Sequence, residues 1–123
     1  MAGVAALFDT NILIDYLSGI AAAKRELKRY ENRAISIITW MEVMVGVTEQ
    51  DSDGTRAFLG TFVLHPILDQ VAERAVELRR TLRLKLPDAI ILATSELTNR
   101  RLITRNTRDF SEKDPRVHVP YRM

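Results

Sequence analysis

Apolar runs too short to be helices recur along this chain, and helix-spaced segments separate them. Val4-Ala5-Ala6-Leu7-Phe8 stops abruptly at Asp9. Ala34–Ile37, Arg101–Thr104 and Val117–Val119 have the same brevity, and Val63–Pro66 reads as a weaker strand or turn. Short apolar runs of this kind read as strands of a parallel sheet buried on both faces. Between them Ile12, Leu13, Tyr16 and Leu17 recur at helical spacing after the cap-type residues Asp9-Thr10-Asn11, with Gly19 as the stop. Ala21–Glu31 predicts a second, charged helix. A third begins near Thr39 with Trp40, Val43, Met44 and Val47 as its stripe and Gly46 for close packing. Arg56–Phe62 is a short helix, and Asp69–Leu84 is the clearest amphipathic one, lined by Val71, Ala72, Ala75, Val76, Leu78 and Leu82. Polar Thr48–Thr55, containing Gly54, reads as a loop. The alternation predicts an α/β fold whose mainly parallel sheet is covered by helices on both sides.

One helix should be central. In Lys85-Leu86-Pro87-Asp88-Ala89-Ile90-Ile91-Leu92-Ala93-Thr94, Pro87 suits a first helical turn and Ala89–Ala93 has no polar face. Asp88 sits where free N–H groups and the helix dipole favour a negative charge. The plain reading is that Asp88 stabilises the helix start. The other reading depends on where the remaining acids lie.

Asp9 follows a strand, Glu42 lies one turn into the helix after another, and Asp109 follows the Arg101–Thr104 strand in the loop Arg105–Phe110. Parallel strands point their carboxyl ends to one edge, so these acids should converge. Periodicity alone does not place Asp88 at that edge, and acids at element ends also arise by chance. Convergent carboxylates repel and need a cation, and an all-oxygen ligand set suits Mg²⁺ or Mn²⁺ rather than Zn²⁺. A carboxylate-held metal beside basic residues suits hydrolysis of a phosphodiester. His65 and His118 read as structural or surface residues. No Ser–His–Asp or Cys–His set and no Gly-rich phosphate loop can be assembled.

Length predicts one domain over residues 1–123. The absence of cysteine removes disulfides and thiolate metal sites and fits a reducing cytoplasm. Met1–Phe8 lacks the basic start of a signal peptide, and no stretch is long and apolar enough to span a membrane, so the expectation is a cytoplasmic protein. The net charge is only +2, with a pI near 9.2, but basic residues cluster at Lys24–Arg29, Arg79–Lys85 and Arg100–Arg108. These are either solvated helix faces or a track for a phosphate-rich partner. Arg105 and Arg108 flank Asp109 and are the expected phosphate contacts.

Four segments together resemble a PIN domain of the VapC toxin-ribonuclease type. They are Leu7-Phe8-Asp9-Thr10-Asn11-Ile12-Leu13-Ile14; Ser36-Ile37-Ile38-Thr39-Trp40-Met41-Glu42; Leu86-Pro87-Asp88-Ala89-Ile90-Ile91; and Leu102-Ile103-Thr104-Arg105-Asn106-Thr107-Arg108-Asp109-Phe110. They stand in the family's order and span nearly the whole chain. The resemblance implies a three-layer α/β/α sandwich and a Mg²⁺-dependent endoribonuclease. It makes Asp9 and Asp88 metal ligands, with Glu42 and Asp109 completing the acids and Thr10, Thr104 and Asn106 as supporting polar residues. It also implies a homodimer held inactive by a VapB-type antitoxin, whose tail lies in the active-site groove, and contact with operator DNA only through that antitoxin. The target RNA is not specified. The segment Thr48–Leu64 carries no family motif. Ile12, Leu13, Tyr16 and Leu17 offer either core or an apolar surface for the antitoxin tail.

Other readings stay open. A regulatory receiver domain also gathers acids at strand ends, but it needs adjacent acids after the first strand and a lysine after a late one. Here Thr10 and Asn11 follow Asp9, and Arg105 follows Thr104. A catalytically silent PIN domain would not need all four acids. A housekeeping RNA- or DNA-processing nuclease of the same fold is compatible with every residue named above.

Overall fold

The chain begins its sheet in the middle. In the computed structural model, which describes residues 4–123, β1 (Ala6–Phe8) lies between β2 (Arg33–Ser36) and β4 (Arg101–Ile103). β3 (Val63–His65) and β5 (Val117–His118) form the two edges, giving the order β3-β2-β1-β4-β5 with all pairs parallel. The helices are α1 (Thr10–Leu17), α2 (Ala21–Lys28), α3 (Ile37–Val45), α4 (Ser52–Leu59), α5 (Asp69–Leu82) and α6 (Leu86–Leu97). Residues 1–3, part of the stretch read for a leader, lie outside the described residues. Among the described residues no helix is long and apolar enough to cross a membrane.

Strand pleating sorts the core into two layers. Ala6, Phe8, Ile35 and Ile103 pack with Ile12 and Leu13 of α1, Leu27 of α2, Val43 of α3 and Leu59 of α4. Leu7, Ala34, Leu102 and Val117 pack on the opposite face with Ala75 and Leu78 of α5 and Ile91 and Leu92 of α6. Neighbouring residues of one strand thus point to opposite faces, as the pleat requires. The architecture is the expected α/β/α sandwich, and α6 is buried along Ile91–Ser95 as its composition demands.

The strand order determines where a site can form. β1, β2 and β3 are laid down outward in one direction, after which the chain returns to place β4 on the other side of β1. Connections leaving β1 and β4 therefore diverge, which opens a crevice at their carboxyl ends. Phe8 pairs with Ile103, so Asp9 and Thr104 leave the sheet side by side.

Several boundaries differ from the sequence reading: α3 already starts at Ile37, where Ser36 caps it and ends β2, and α4 ends at Leu59 rather than Phe62. Half of the expected Thr48–Thr55 loop is helical, since α4 starts at Ser52. Thr48 and Asp51 bond each other there and form a turn that starts the helix, while Thr55 and Leu59 are buried along it. That packing overrides the cost of Gly54 in a helix. α2 stops at Lys28 rather than Glu31, because Tyr30 turns inward to meet Phe8 edge-on and to bond Glu26. α5 stops at Leu82, where Arg83 takes a left-handed φ of 58° and lets buried Leu84 fold back onto the core.

Leu92 is 1% exposed at the centre of the α5–α6 layer. Leu92→Ala should cost about 2–5 kcal/mol, read from the urea-unfolding free energy. A loss below about 1 kcal/mol would show that this layer is loosely packed.

Candidate active site

Asp9 follows β1 and caps α1, and it is only 3% exposed. Its Oδ1 accepts from the Thr10 backbone N–H (2.8 Å). Its Oδ2 accepts from the Thr104 hydroxyl (2.7 Å) and the Asn11 side-chain amide (3.0 Å). Burial nevertheless pushes its carboxyl above the usual range, with the charge of Glu42 adding to that and the hydrogen bonds opposing it.

Glu42 reaches the same place from α3. The Thr10 hydroxyl donates to its Oε1 (2.6 Å), and the buried Thr39 hydroxyl lies 3.0 Å from that of Thr10. Beyond β4 the Thr104 oxygen accepts from the Asn106 backbone N–H (3.0 Å). Asn106 in turn grips Asp109, donating from its side-chain amide (2.9 Å) and accepting from the Asp109 backbone N–H (3.2 Å). The Asn106 bond holds the Asp109 carboxyl below its ordinary range, and the proton of Asp88 and the charges of Lys85 and Arg108 add to that.

Asp88 links the set. It stands in the first turn of α6, and its carboxyl is pushed up to about 7. Burial is the main cause, followed by the charge of Asp9, hydrogen bonding to and the charge of Asp109, and the charge of Glu42. An Asp serving only to stabilise a helix start would ionise more readily than usual. Asp88 ionises less readily, because it is partly buried and three other acids act on it.

Asp9, Glu42, Asp88 and Asp109 are therefore brought to one edge, at the crevice between β1 and β4. Among the described residues, no three acids or histidines are already drawn in to ion-binding distance. Neighbouring hydroxyls and amides hold the oxygens of Asp9, Glu42 and Asp109, and each carboxylate keeps lone pairs free. The set fits a hard divalent cation such as Mg²⁺ or Mn²⁺, since every donor is oxygen and a cation would relieve the repulsion felt by Asp88.

The expected supporting residues divide. Thr10, Thr104 and Asn106 each touch a site acid. Arg108 is exposed beside Asp109 and makes no ion pair among the described residues. Arg105, expected to face RNA phosphates, turns its guanidinium onto Asp15 of α1 through Nε and NH2. The two histidines serve elsewhere: His65 accepts from Arg100 (3.1 Å) and His118 lies 3.6 Å from Glu26. Asn11 and Thr39 were missed as site residues. Asn11 reads as a helix cap, and only its hydrogen bonds to Asp9, Thr104 and the Arg105 backbone distinguish it.

The family model for the PIN domain matches residues 6–114. The chain belongs to the PIN-domain family. A curated relative, Ribonuclease VapC10 of Mycobacterium tuberculosis, is 28% identical over 112 residues, covering 85% of this chain and 84% of the relative. A chain of a toxin-antitoxin complex from Klebsiella pneumoniae superposes with a TM-score of 0.93 at 52% identity, over 97% of this PIN domain and 100% of that chain. A chain of VapBC2 from Rickettsia felis, solved bound to a promoter DNA fragment, shares the fold at a TM-score of 0.75 and 20% identity, over 95% and 96% of the two chains. The motif-based resemblance and the expected sandwich are thus met.

A carboxyl whose folded pKa lies above its unfolded value near 3.8 holds its proton more tightly in the native state. Its contribution is fully present below that value and is lost as pH rises toward about 7. His65 and His118, both lowered chiefly by burial, act in the opposite sense, but equally in wild type and variant. In EDTA, Asp88→Asn should therefore gain stability over wild type progressively from about pH 4 to about pH 7, read as the difference in urea midpoints. A difference that does not change with pH would show that Asp88 titrates normally.

Proposed function

We propose that residues 1–123 act as one divalent-metal-dependent endoribonuclease domain, the toxin of a toxin–antitoxin pair. What supports this reading is that Asp9, Glu42 and Asp109 all act on the carboxyl of Asp88, in a chain 52% identical to one from a toxin-antitoxin complex.

Asp9 and Asp88 would hold Mg²⁺ or Mn²⁺, with Glu42 and Asp109 completing the oxygen donors. When bound, the cation would supply Lewis acidity to a phosphate oxygen and lower the pKa of a water at neutral pH. The protein's part is orientation. Thr104 and Asn11 fix the Asp9 carboxylate, Thr10 fixes Glu42, and Asn106 fixes Asp109. Arg108 holds the RNA backbone beside Asp109 by charge, without reading bases.

The reading extends to partners. The chain is a cytoplasmic homodimer whose cognate antitoxin inserts a basic side chain among the acids, where an Arg can bond a carboxylate through two N–H groups. Operator DNA is engaged only through the antitoxin. Beside the acids lies a groove of about 600 Å³ whose lining includes Ile14, Leu17, Glu42, Val43 and Val47. Ile14 and Leu17 are exposed there, whereas Ile12 and Leu13 belong to the core, so only part of the α1 stripe is available to an antitoxin tail.

Asp9→Asn should abolish RNA cleavage without unfolding the chain, and EDTA should stop the wild type in a way that added Mg²⁺ reverses. Expression alone should arrest growth, and co-expression with the adjacent antitoxin gene should relieve it. Wild-type cleavage rates in Asp9→Asn would refute the site. A chain that cleaves RNA without arresting growth, and has no partner gene, would be a housekeeping nuclease. Arg108→Ala should weaken RNA binding across sequences and lower the log–log salt slope by about 1. An unchanged slope would place Arg108 off the RNA track.

A further inference from the structure

Asn11 and Asp15 are four residues apart on α1 and so lie on one face of that helix. Arg105, just after β4, engages both. Its backbone N–H donates to Asn11 Oδ1 (3.3 Å). Its guanidinium donates to Asp15 through Nε and NH2, the NH2 bond measuring 2.8 Å. Asp15 is 5% exposed, and its second carboxylate partner is the Tyr121 hydroxyl (2.8 Å), from the segment that follows β5. Tyr121 also packs against the core layer that contains Ile12 and Leu13.

The effect reaches the acids through Asn11. With its Oδ1 taken by the Arg105 backbone, the Asn11 amide presents Nδ2 to Asp9 Oδ2 (3.0 Å) and to the Thr104 oxygen (3.3 Å). A flipped amide would turn a carbonyl oxygen toward a carboxylate. The Nε–NH2 edge of the guanidinium is occupied by Asp15, which offsets its charge and leaves a phosphate only the NH1 side.

We propose that Asp15, Arg105 and Tyr121 form a clamp that positions Asn11, and through it the Asp9 carboxylate, for metal binding and cleavage, and that Arg105 is a positioning residue and not an RNA contact. This inference rests on the nuclease reading above. Its three parts come from α1, the loop after β4 and the C-terminal segment. Groups that orient a metal ligand typically govern metal affinity or turnover by about 10–100-fold.

The test compares Arg105→Ala, Arg105→Lys, Asp15→Asn and Tyr121→Phe with wild type and with Arg108→Ala. Mn²⁺ affinity is read by calorimetry, kcat and KM on a fixed RNA, the salt slope of RNA binding by titration, and folding by circular dichroism. Arg105→Ala and Asp15→Asn should weaken Mn²⁺ binding and lower kcat by about 10–100-fold, with KM and the salt slope unchanged. Arg105→Lys keeps the charge but loses the fork, so it should recover only part of the loss. Tyr121→Phe should show a smaller loss of the same kind, and it carries the test if Arg105→Ala does not fold. A raised KM and a shallower salt slope with kcat intact, the pattern expected of Arg108→Ala, would make Arg105 a phosphate contact and overturn the clamp. Lower thermal stability with Mn²⁺ affinity and kcat intact would overturn it too, by reducing the trio to a structural tie. A wild-type chain that binds Mn²⁺ but cuts no RNA would overturn the nuclease reading, leaving Mn²⁺ affinity to decide the clamp.

Discussion

The pairing of β1 with β4 is the constraint on which the site depends. These strands are neighbours in space but lie far apart in the chain, and Phe8 meets Ile103 in register. That register delivers Asp9 and Thr104 to the same point at the sheet edge, where the Thr104 hydroxyl bonds the Asp9 carboxylate. Because this is also the point where the strand order reverses, the connections on either side part and leave room above the acids. A one-residue slip of β4 would turn Leu102 and Ile103 to the wrong core layers and carry Thr104 away from Asp9.

Around that pair, burial and like charge act against ionised carboxylates, and hydrogen bonds act for them. Asp9 receives three donors and is still pushed up by burial. Asp109, more open and held by Asn106, goes the other way. Asp88, raised first by burial and then by the charges of the other acids, has no comparable set of donors to oppose the rise. The arrangement leaves unbalanced negative charge in one place, a condition that a divalent cation or an inserted guanidinium relieves. Catalysis and inhibition by a basic partner would thus draw on the same electrostatic imbalance.

Much of this was legible in the residues. Strands buried on both faces read as short apolar runs, so Asp9 and Asp109 could be placed at strand ends without any contact information. Asp88 could not be placed from periodicity, although α6 must run back against β4 to feed it, which puts the start of the helix at the acid edge. The α4 start was hidden because Gly54 and its polar neighbours look like a loop until Thr55 and Leu59 find the core. The capture of Arg105 was not legible at all, since its partner Asp15 lies 90 residues away. Two arginines flank Asp109 in one short loop, and only the packing of α1 against that loop separates their roles.

The account stands most directly on where a cation binds. A crystal grown with Mn²⁺ and measured at the manganese absorption edge should show an anomalous peak at the β1–β4 crevice, in contact with Asp9 and Asp88 oxygens. An empty crevice at saturating Mn²⁺, or a peak held only by acids outside it such as Glu26 or Glu96, would contradict the assignment of these four carboxylates as the metal site.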